Sequence, residues 1–97
     1  MMQPQVLIPW DRDEACEVCH AAWIARRSPA TIRAWAERHH IGRRIVDGGW
    51  MISLPALLML LDDDRTALDA YLAGDRRSEV FEAYRERSNR FLPAEIT

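Results

Sequence analysis

The chain has 97 residues, a length that fits one domain with a modest hydrophobic core. Its most apolar run, Leu54 to Leu61, is far shorter than the roughly 18 apolar residues that cross a bilayer, and the N-terminus lacks the basic start and long apolar stretch of a signal peptide. The net charge of −2 argues against nucleic-acid binding only if charge is spread evenly along the chain. We therefore expect a cytoplasmic protein with no membrane contact, in which Cys16 and Cys19 stay reduced.

Residues 1–10 form an N-terminal lead-in, after which the sequence predicts a first helix from near Asp11. The Asp11 carboxylate is suited to cap the free amides of a first turn. Apolar residues then recur at three- and four-residue spacing, at Ala15, Val18, Cys19 and Ala22. Arg26-Arg27 is predicted to connect this helix to the next.

Ser28-Pro29 predicts the start of a second helix, because serine caps free amides and proline fits the first helical position. The helix is expected to run from Ser28 to His39 and to stop before Gly42. Its inner side would carry Ser28, Ile32, Trp35, Ala36 and His39. Its outer side would carry Ala30, Arg33, Ala34 and Glu37, with Thr31 and Arg38 at the flanks.

Two short β-prone runs follow, Arg43 to Val46 and Trp50 to Ile52. They bracket Asp47-Gly48-Gly49, a turn sequence that indicates a β-hairpin.

Three further helices are predicted after the hairpin, spanning Ser53 to about Leu61, Arg65 to Ala73 and Ser78 to about Asn89. The last is expected to turn Val80, Phe81 and Tyr84 to one side. Residues 11–61 would form a winged helix-turn-helix DNA-binding domain, and residues 62–97 would complete its core or mediate oligomerisation. The predicted fold class is thus mainly α with a small β-hairpin.

The positive charge is concentrated in one segment of the chain, so the net negative charge does not exclude nucleic acid as a partner or a nucleoid-associated location. Residues 26–46 hold six arginines against one glutamate, whereas residues 47–75 hold one arginine against six aspartates. A positive patch of this kind is what phosphate contact requires. The predicted double-stranded DNA contacts are Arg26, Arg27, Ser28, Ala30, Thr31, Arg33, Ala34, Glu37, Arg38, Arg43 and Arg44.

The same residues resemble a known family. Ala22, the run Ser28-Pro-Ala-Thr-Ile-Arg-Ala-Trp35, then Ile41-Gly-Arg-Arg and Gly49-Trp-Met-Ile-Ser53 are similar to the MerR-like winged helix-turn-helix superfamily, and within it to small excisionases (recombination directionality factors). The resemblance covers about Glu14 to Leu61, and more loosely Ala70 to Arg76. One departure is Arg26, which stands where the family usually has glycine.

The resemblance implies a protein without an active site or cofactor. Excisionases bind adjacent repeats as several copies, bend the DNA and help an integrase to assemble. A small transcription regulator would use the same fold and contacts at a promoter. Both interpretations predict DNA binding, and we find no nucleophile–base pair or phosphate-cradling glycine loop that would indicate an enzyme.

A third interpretation, from another class, is a metal-binding or protein-interaction module. Cys16, Cys19 and His20, with His39 or His40, are ligand types that suit zinc. Against a metal site, the cysteines are predicted to lie within a helix, where two buried small side chains would account for them.

Overall fold

The computed structural model describes residues 12–44 and 49–91. This part of the chain is mainly helical, with five α-helices and one small antiparallel sheet, as the sequence predicts. A 3-10 turn over Arg12–Glu14 precedes β1 (Ala15–Glu17), α1 (Val18–Ala25), α2 (Pro29–His39), β2 (Gly42–Arg44), β3 (Trp50–Ser53), α3 (Leu54–Leu61), α4 (Arg65–Leu72) and α5 (Glu79–Asn89). The lead-in over residues 1–10 and the residues after 91 lie outside the described residues.

The sheet has three strands in the order β1-β3-β2. The predicted hairpin is confirmed in its strands, since β2 and β3 pair antiparallel with Arg43 opposite Met51 and Arg44 opposite Trp50. The turn itself, residues 45–48, lies outside the described residues.

The prediction of a first helix from near Asp11 is wrong. Helix α1 begins only at Val18, and the three residues before it form β1, with Cys16 opposite Ile52 of β3. Pairing with β3 satisfies backbone groups that would otherwise be left at a sheet edge, and this gain overrides the weak local preference for helix. The two cysteines therefore lie on different elements, Cys16 on β1 and Cys19 on α1. Their environments differ, because Cys16 is buried and Cys19 is exposed.

The starts of α2, α3, α4 and α5 were predicted well because they depend on local side-chain caps. The hydroxyl oxygens of Ser28, Ser53 and Ser78 each accept a hydrogen bond from the backbone N–H three residues later, and the Asp64 carboxylate does the same for α4. The predicted end of α2 at His39 is confirmed, but the prediction that Gly42 stops the helix is wrong. The left-handed residue that ends α2 is His40, with φ of 59°, whereas Gly42 is already paired in β2.

The core is built around α3, whose residues 54–59 are all buried. Helices α1, α4 and α5 pack on it, so the C-terminal helices complete the same core as the N-terminal half. Phe81 and Tyr84 are buried there, but Val80 is 49% exposed, contrary to its predicted inward position. Among the described residues, no helix has the length and apolar character needed to cross a membrane.

Candidate nucleic-acid interface

Helix α2 has a buried side and an exposed side, in the arrangement the spacing predicts, except that Ser28, predicted on the inner side, is an exposed capping residue. Ile32 and Ala36 are almost fully buried against the core, and Trp35 is partly buried beside them. The opposite side presents four exposed residues: Ala30, Arg33, Ala34 and Glu37. An exposed helix side with two alanines leaves room for another surface to approach the helix backbone closely.

The hairpin lies along one flank of α2. An ideal Cβ built on Gly42 of β2 would lie 3.4 Å from the Cβ of Ala36. Arg33 lines a cavity of about 340 Å³ together with Gly49, Trp50 and residues 17–19 at the start of α1. Arg33 is therefore placed between the exposed side of α2 and the hairpin, while Arg44 is exposed on β2.

The turn between α1 and α2 holds Arg26 in a left-handed conformation, with φ of 58° and ψ of 45°. The amides of Arg26 and Arg27 donate to the carbonyls of Trp23 and Ala22, which closes the end of α1. Arg26 thus adopts the backbone conformation for which glycine is usually selected, so the departure from the family pattern leaves the turn intact. Its side chain is exposed at the N-terminal end of α2.

Arg27 is held against the same turn. Its guanidinium donates to the carbonyls of Ala25 and Arg26 and lies 5.8 Å from the centre of the Trp35 ring. Trp35 therefore packs against the core and also carries a cation on its outer face. This contact fixes the second arginine of the turn on the flank of α2 away from Arg33, since residues 33 and 35 point to opposite sides of a helix.

The arginines around α2 differ in charge compensation from those of the C-terminal half. Arg76, Arg85 and Arg87 each lie within 4 Å of a carboxylate, the closest pair being Arg87 with Asp62 at 2.8 Å. Within residues 12–44 and 49–91, no carboxylate lies at ion-pair distance from the arginines at positions 26, 33, 38 and 44. Among the described residues, these four guanidinium groups are therefore not neutralised by a direct ion pair.

One basic residue near α2 was missed by sequence reasoning. Arg65, the first residue of α4, places its Nη1 3.5 Å from Nδ1 of His39 in the last turn of α2. The sequence assigns Arg65 to an acidic segment, and no periodicity or motif links two residues 26 positions apart. Only the packing of α4 beside the end of α2 brings them together.

The cysteine and histidine residues do not gather into a metal site in the part of the chain that the structure describes. Burial, with a smaller contribution from the Glu17 charge, raises the pKa of the Cys16 thiol to about 12. Cys16 is buried whereas Cys19 is exposed, so the two thiols lie in different environments. His20 instead contacts the Phe91 carbonyl through Nε2 at 2.6 Å and stacks on Trp23. These positions give the metal interpretation no support.

No protein-family model matches the sequence, and neither a curated protein nor a solved structure shows significant similarity to the chain.

Proposed function

We propose that the chain is a winged helix-turn-helix protein that binds double-stranded DNA, with α2 in the major groove and the β2–β3 hairpin as the wing. The observation that carries this proposal is the exposed side of α2, where Ala30 and Ala34 lie among Arg26, Arg33 and Arg38, none of which has a carboxylate of the described residues at ion-pair distance. A helix with small outward residues fits deep into the major groove, and the flanking guanidinium groups suit phosphate and guanine.

Each predicted contact has a role in this arrangement. Arg33 and Arg38 are each suited to a guanine edge or a phosphate, and Arg33 is the one assigned to a base. Glu37 is suited to the amino group of cytosine, and Thr31 to either base or phosphate. The start of the helix, at Arg26, Arg27 and Ser28, faces the backbone and fixes register without reading sequence. Arg43 and Arg44 on the wing contact the adjacent backbone or minor groove.

The finer proposal is an excisionase that binds cooperatively, bends DNA and assists an integrase. The sequence resemblance supports it, as does the small size of the interface, because one module of this size makes few base contacts and gains affinity from neighbouring copies. Phe81 and Tyr84 are buried in the core, so they are not available for contact between copies. A transcription regulator would use the same surface at a promoter; footprinting at an attachment site against a promoter separates the two.

The primary test is a salt titration of duplex binding by fluorescence anisotropy. With about five phosphates neutralised, log affinity should fall against log salt with a slope of about −4 to −5. A slope near zero, or binding that requires added zinc, would instead favour the protein-interaction or metal-binding interpretation.

Arg33→Ala and Arg44→Ala test the assigned roles. Arg33→Ala should cost about 1–3 kcal/mol of binding on the preferred site and relax the preference at one base pair. Arg44→Ala should weaken all sequences alike and reduce the salt slope by about 1. Arg85→Ala serves as the control, since Arg85 is an exposed arginine of α5 paired with Glu82. Equal, sequence-blind losses from both variants would contradict the base-reading role of Arg33.

Arg26→Gly should lower DNA affinity without lowering the stability of the fold. Glycine removes the cost of about 1 kcal/mol that a side chain incurs in the left-handed region, offset in part by its greater freedom in the unfolded chain. We expect unchanged or slightly raised thermal stability, with a DNA affinity reduced about threefold to tenfold by loss of one phosphate contact. Asp63→Gly is the matched control, because Asp63 has nearly the same φ, 57°, and is no part of the basic surface. A loss of affinity in both variants would argue against a contact at Arg26.

A further inference from the structure

The C-terminal end of α2 and the start of α4 form a small cationic cluster: Arg38, His39 and Arg65. The Nη1 of Arg65 lies 3.5 Å from the Nδ1 of His39, and Arg38 occupies the same last turn of α2. An N–H of the guanidinium points to a ring nitrogen that has a lone pair only when the histidine is neutral at that atom. This contact is thus a hydrogen bond only while Nδ1 of His39 carries no proton.

The cluster has no anionic partner among the described residues. The pKa of His39 is lowered first by burial and then by the charges of Arg65, Arg38 and His40, and no carboxylate opposes the shift. The other charged or titratable groups on α4 and on the elements packed against α2 are not among the causes of the shift; they are Cys19 and His20 of α1, Arg43 and Arg44 of β2, and Asp69 and Tyr71 of α4.

Two of the three aspartates that precede Arg65 are engaged elsewhere, and the third, Asp63, is exposed and makes no ion pair with Arg65. Asp62 accepts from Arg87 and Tyr84, and Asp64 caps α4 and accepts from the same tyrosine. Arg65 is itself the first residue of α4, and a cation at the positive end of a helix is unfavourable. Its placement is thus not explained by the stability of the helix.

The cluster also has a definite position relative to the proposed DNA-reading side of α2. His39 follows Trp35 by four residues, so both lie on the same flank, and the guanidinium of Arg27 sits over the Trp35 ring. Arg33 and the hairpin lie on the other flank. A major groove is bounded by two phosphate backbones, and a helix lying in it can meet one on each flank.

We propose that Arg38, His39 and Arg65 bind a phosphate of the DNA backbone on the flank of α2 opposite the hairpin, and that His39 takes up a proton when they do. This inference rests on the proposed function and adds a second line of backbone contact to it. When a phosphate enters, His39 gains a proton from solvent at Nδ1, and that N–H and the guanidinium of Arg65 both donate to phosphate oxygens.

The proton uptake fixes the sign of the pH dependence. The pKa of His39 is lower in the free protein than with phosphate bound, so affinity should rise as pH falls from 8 to 6. A tenfold gain in affinity corresponds to one pKa unit of difference between the two states, and we expect a gain of about threefold to tenfold.

His39→Gln should remove this gain, and Arg65→Ala should lower DNA affinity about threefold to tenfold and reduce its dependence on pH. His20→Gln is the matched control and should retain the full pH dependence, since His20 lies on α1 beside Phe91.

A second measurement does not depend on DNA. The His39 imidazole resonance is followed by NMR across pH, with and without inorganic phosphate, in the wild-type protein and in Arg65→Ala. Phosphate should raise the His39 pKa in the wild type and leave it unchanged in the variant. Circular dichroism confirms that the variants are folded.

The outcomes separate the two proposals. If the wild type binds duplex DNA but His39→Gln keeps the pH dependence and Arg65→Ala binds as tightly as wild type, the phosphate site is wrong and the DNA-binding function stands. If phosphate raises the His39 pKa but no duplex is bound, the site stands and the DNA-binding function falls. If phosphate leaves the pKa unchanged and no duplex is bound, both are overturned.

Discussion

Gly42→Ala should destabilise the protein by about 2–3 kcal/mol, because the added methyl group has no space. An ideal Cβ at this position would lie 2.6 Å from the carbonyl oxygen of Met51 and 3.0 Å from Cδ1 of Ile52. The first obstacle is backbone on the neighbouring strand, which a rotamer change cannot move. Relief of this clash therefore requires β2 and β3 to move apart. These two strands form the hairpin that lies beside α2.

The control for this change is Gly49→Ala. Nothing lies within 4 Å of an ideal Cβ at Gly49, which is exposed just before β3. We expect its stability to stay within about 0.5 kcal/mol of wild type, as for other exposed substitutions. Urea denaturation measures both variants, and Gly42→Ala should show the lower midpoint with an unchanged slope. Equal midpoints for the two alanine variants would show that the strands yield to the methyl group at little cost.

The same glycine shows where sequence reasoning about chain reversals fails. A glycine just past a helix usually indicates a left-handed stop, and Gly42 was interpreted in that way. The left-handed residues that end α1 and α2 are instead Arg26 and His40, neither of which carries a local signal for that conformation. Gly42 is needed for close approach between strands, a requirement that only the tertiary structure reveals.

Strand β1 could not be predicted from the sequence, for a related reason. Ala15-Cys16-Glu17 has no alternation of polar and apolar residues long enough to distinguish a strand from the start of a helix. Its conformation is decided by β3, more than thirty residues away, with which all three residues pair. In contrast, the starts of α2, α3 and α5 were predicted because each depends on a serine and the amide three residues later.

The residues of the candidate interface also fall into those that the sequence can predict and those that it cannot. The exposed side of α2 could be predicted because a helix of eleven residues fixes which of its side chains point outward. The contact between His39 and Arg65 could not, because it depends on how α4 packs beside the end of α2. Interface residues on one element follow from periodicity, whereas those contributed across elements require coordinates.

Tyr71→Phe should cost about 2–3 kcal/mol, because the Tyr71 hydroxyl is the centre of a buried polar cluster. The hydroxyl donates to Oε1 of Glu14 at 2.8 Å and lies 2.7 Å from Oγ of Ser53, and all three residues are buried. The guanidinium of Arg76 lies 3.7 Å from the centre of the Tyr71 ring and 3.9 Å from the Glu14 carboxylate. Removal of the hydroxyl takes a hydrogen-bond donor from a carboxylate that water cannot readily reach.

Tyr84→Phe is the matched control, since it deletes the same atom from another buried tyrosine. The Tyr84 hydroxyl donates to Asp62 and Asp64, but Asp62 is exposed and Asp64 is only half-buried, so water can replace the lost donor. We expect a loss of about 0.5–1.5 kcal/mol, the ordinary net value of a hydrogen bond. Urea denaturation measures the loss in the free energy of unfolding for both phenylalanine variants. Equal losses would mean that burial of the Glu14 cluster does not raise the cost of removing the tyrosine hydroxyl.

A double-mutant cycle with Glu14→Gln identifies the source of the cost. If the penalty of Tyr71→Phe comes from a buried charge deprived of a donor, removal of that charge should reduce the penalty, and the two losses should sum to more than the loss in the double variant. Additive losses would assign the cost to packing of the ring instead. The cluster joins the segment before β1, the end of β3 and helix α4, none of which carries the predicted contacts of α2 and the wing. The proposed phosphate contact on α4, Arg65, lies at the other end of that helix from Tyr71. DNA affinity measured well below the unfolding transition should therefore be the same in Tyr71→Phe as in wild type, whereas Arg33→Ala should lose affinity at unchanged stability.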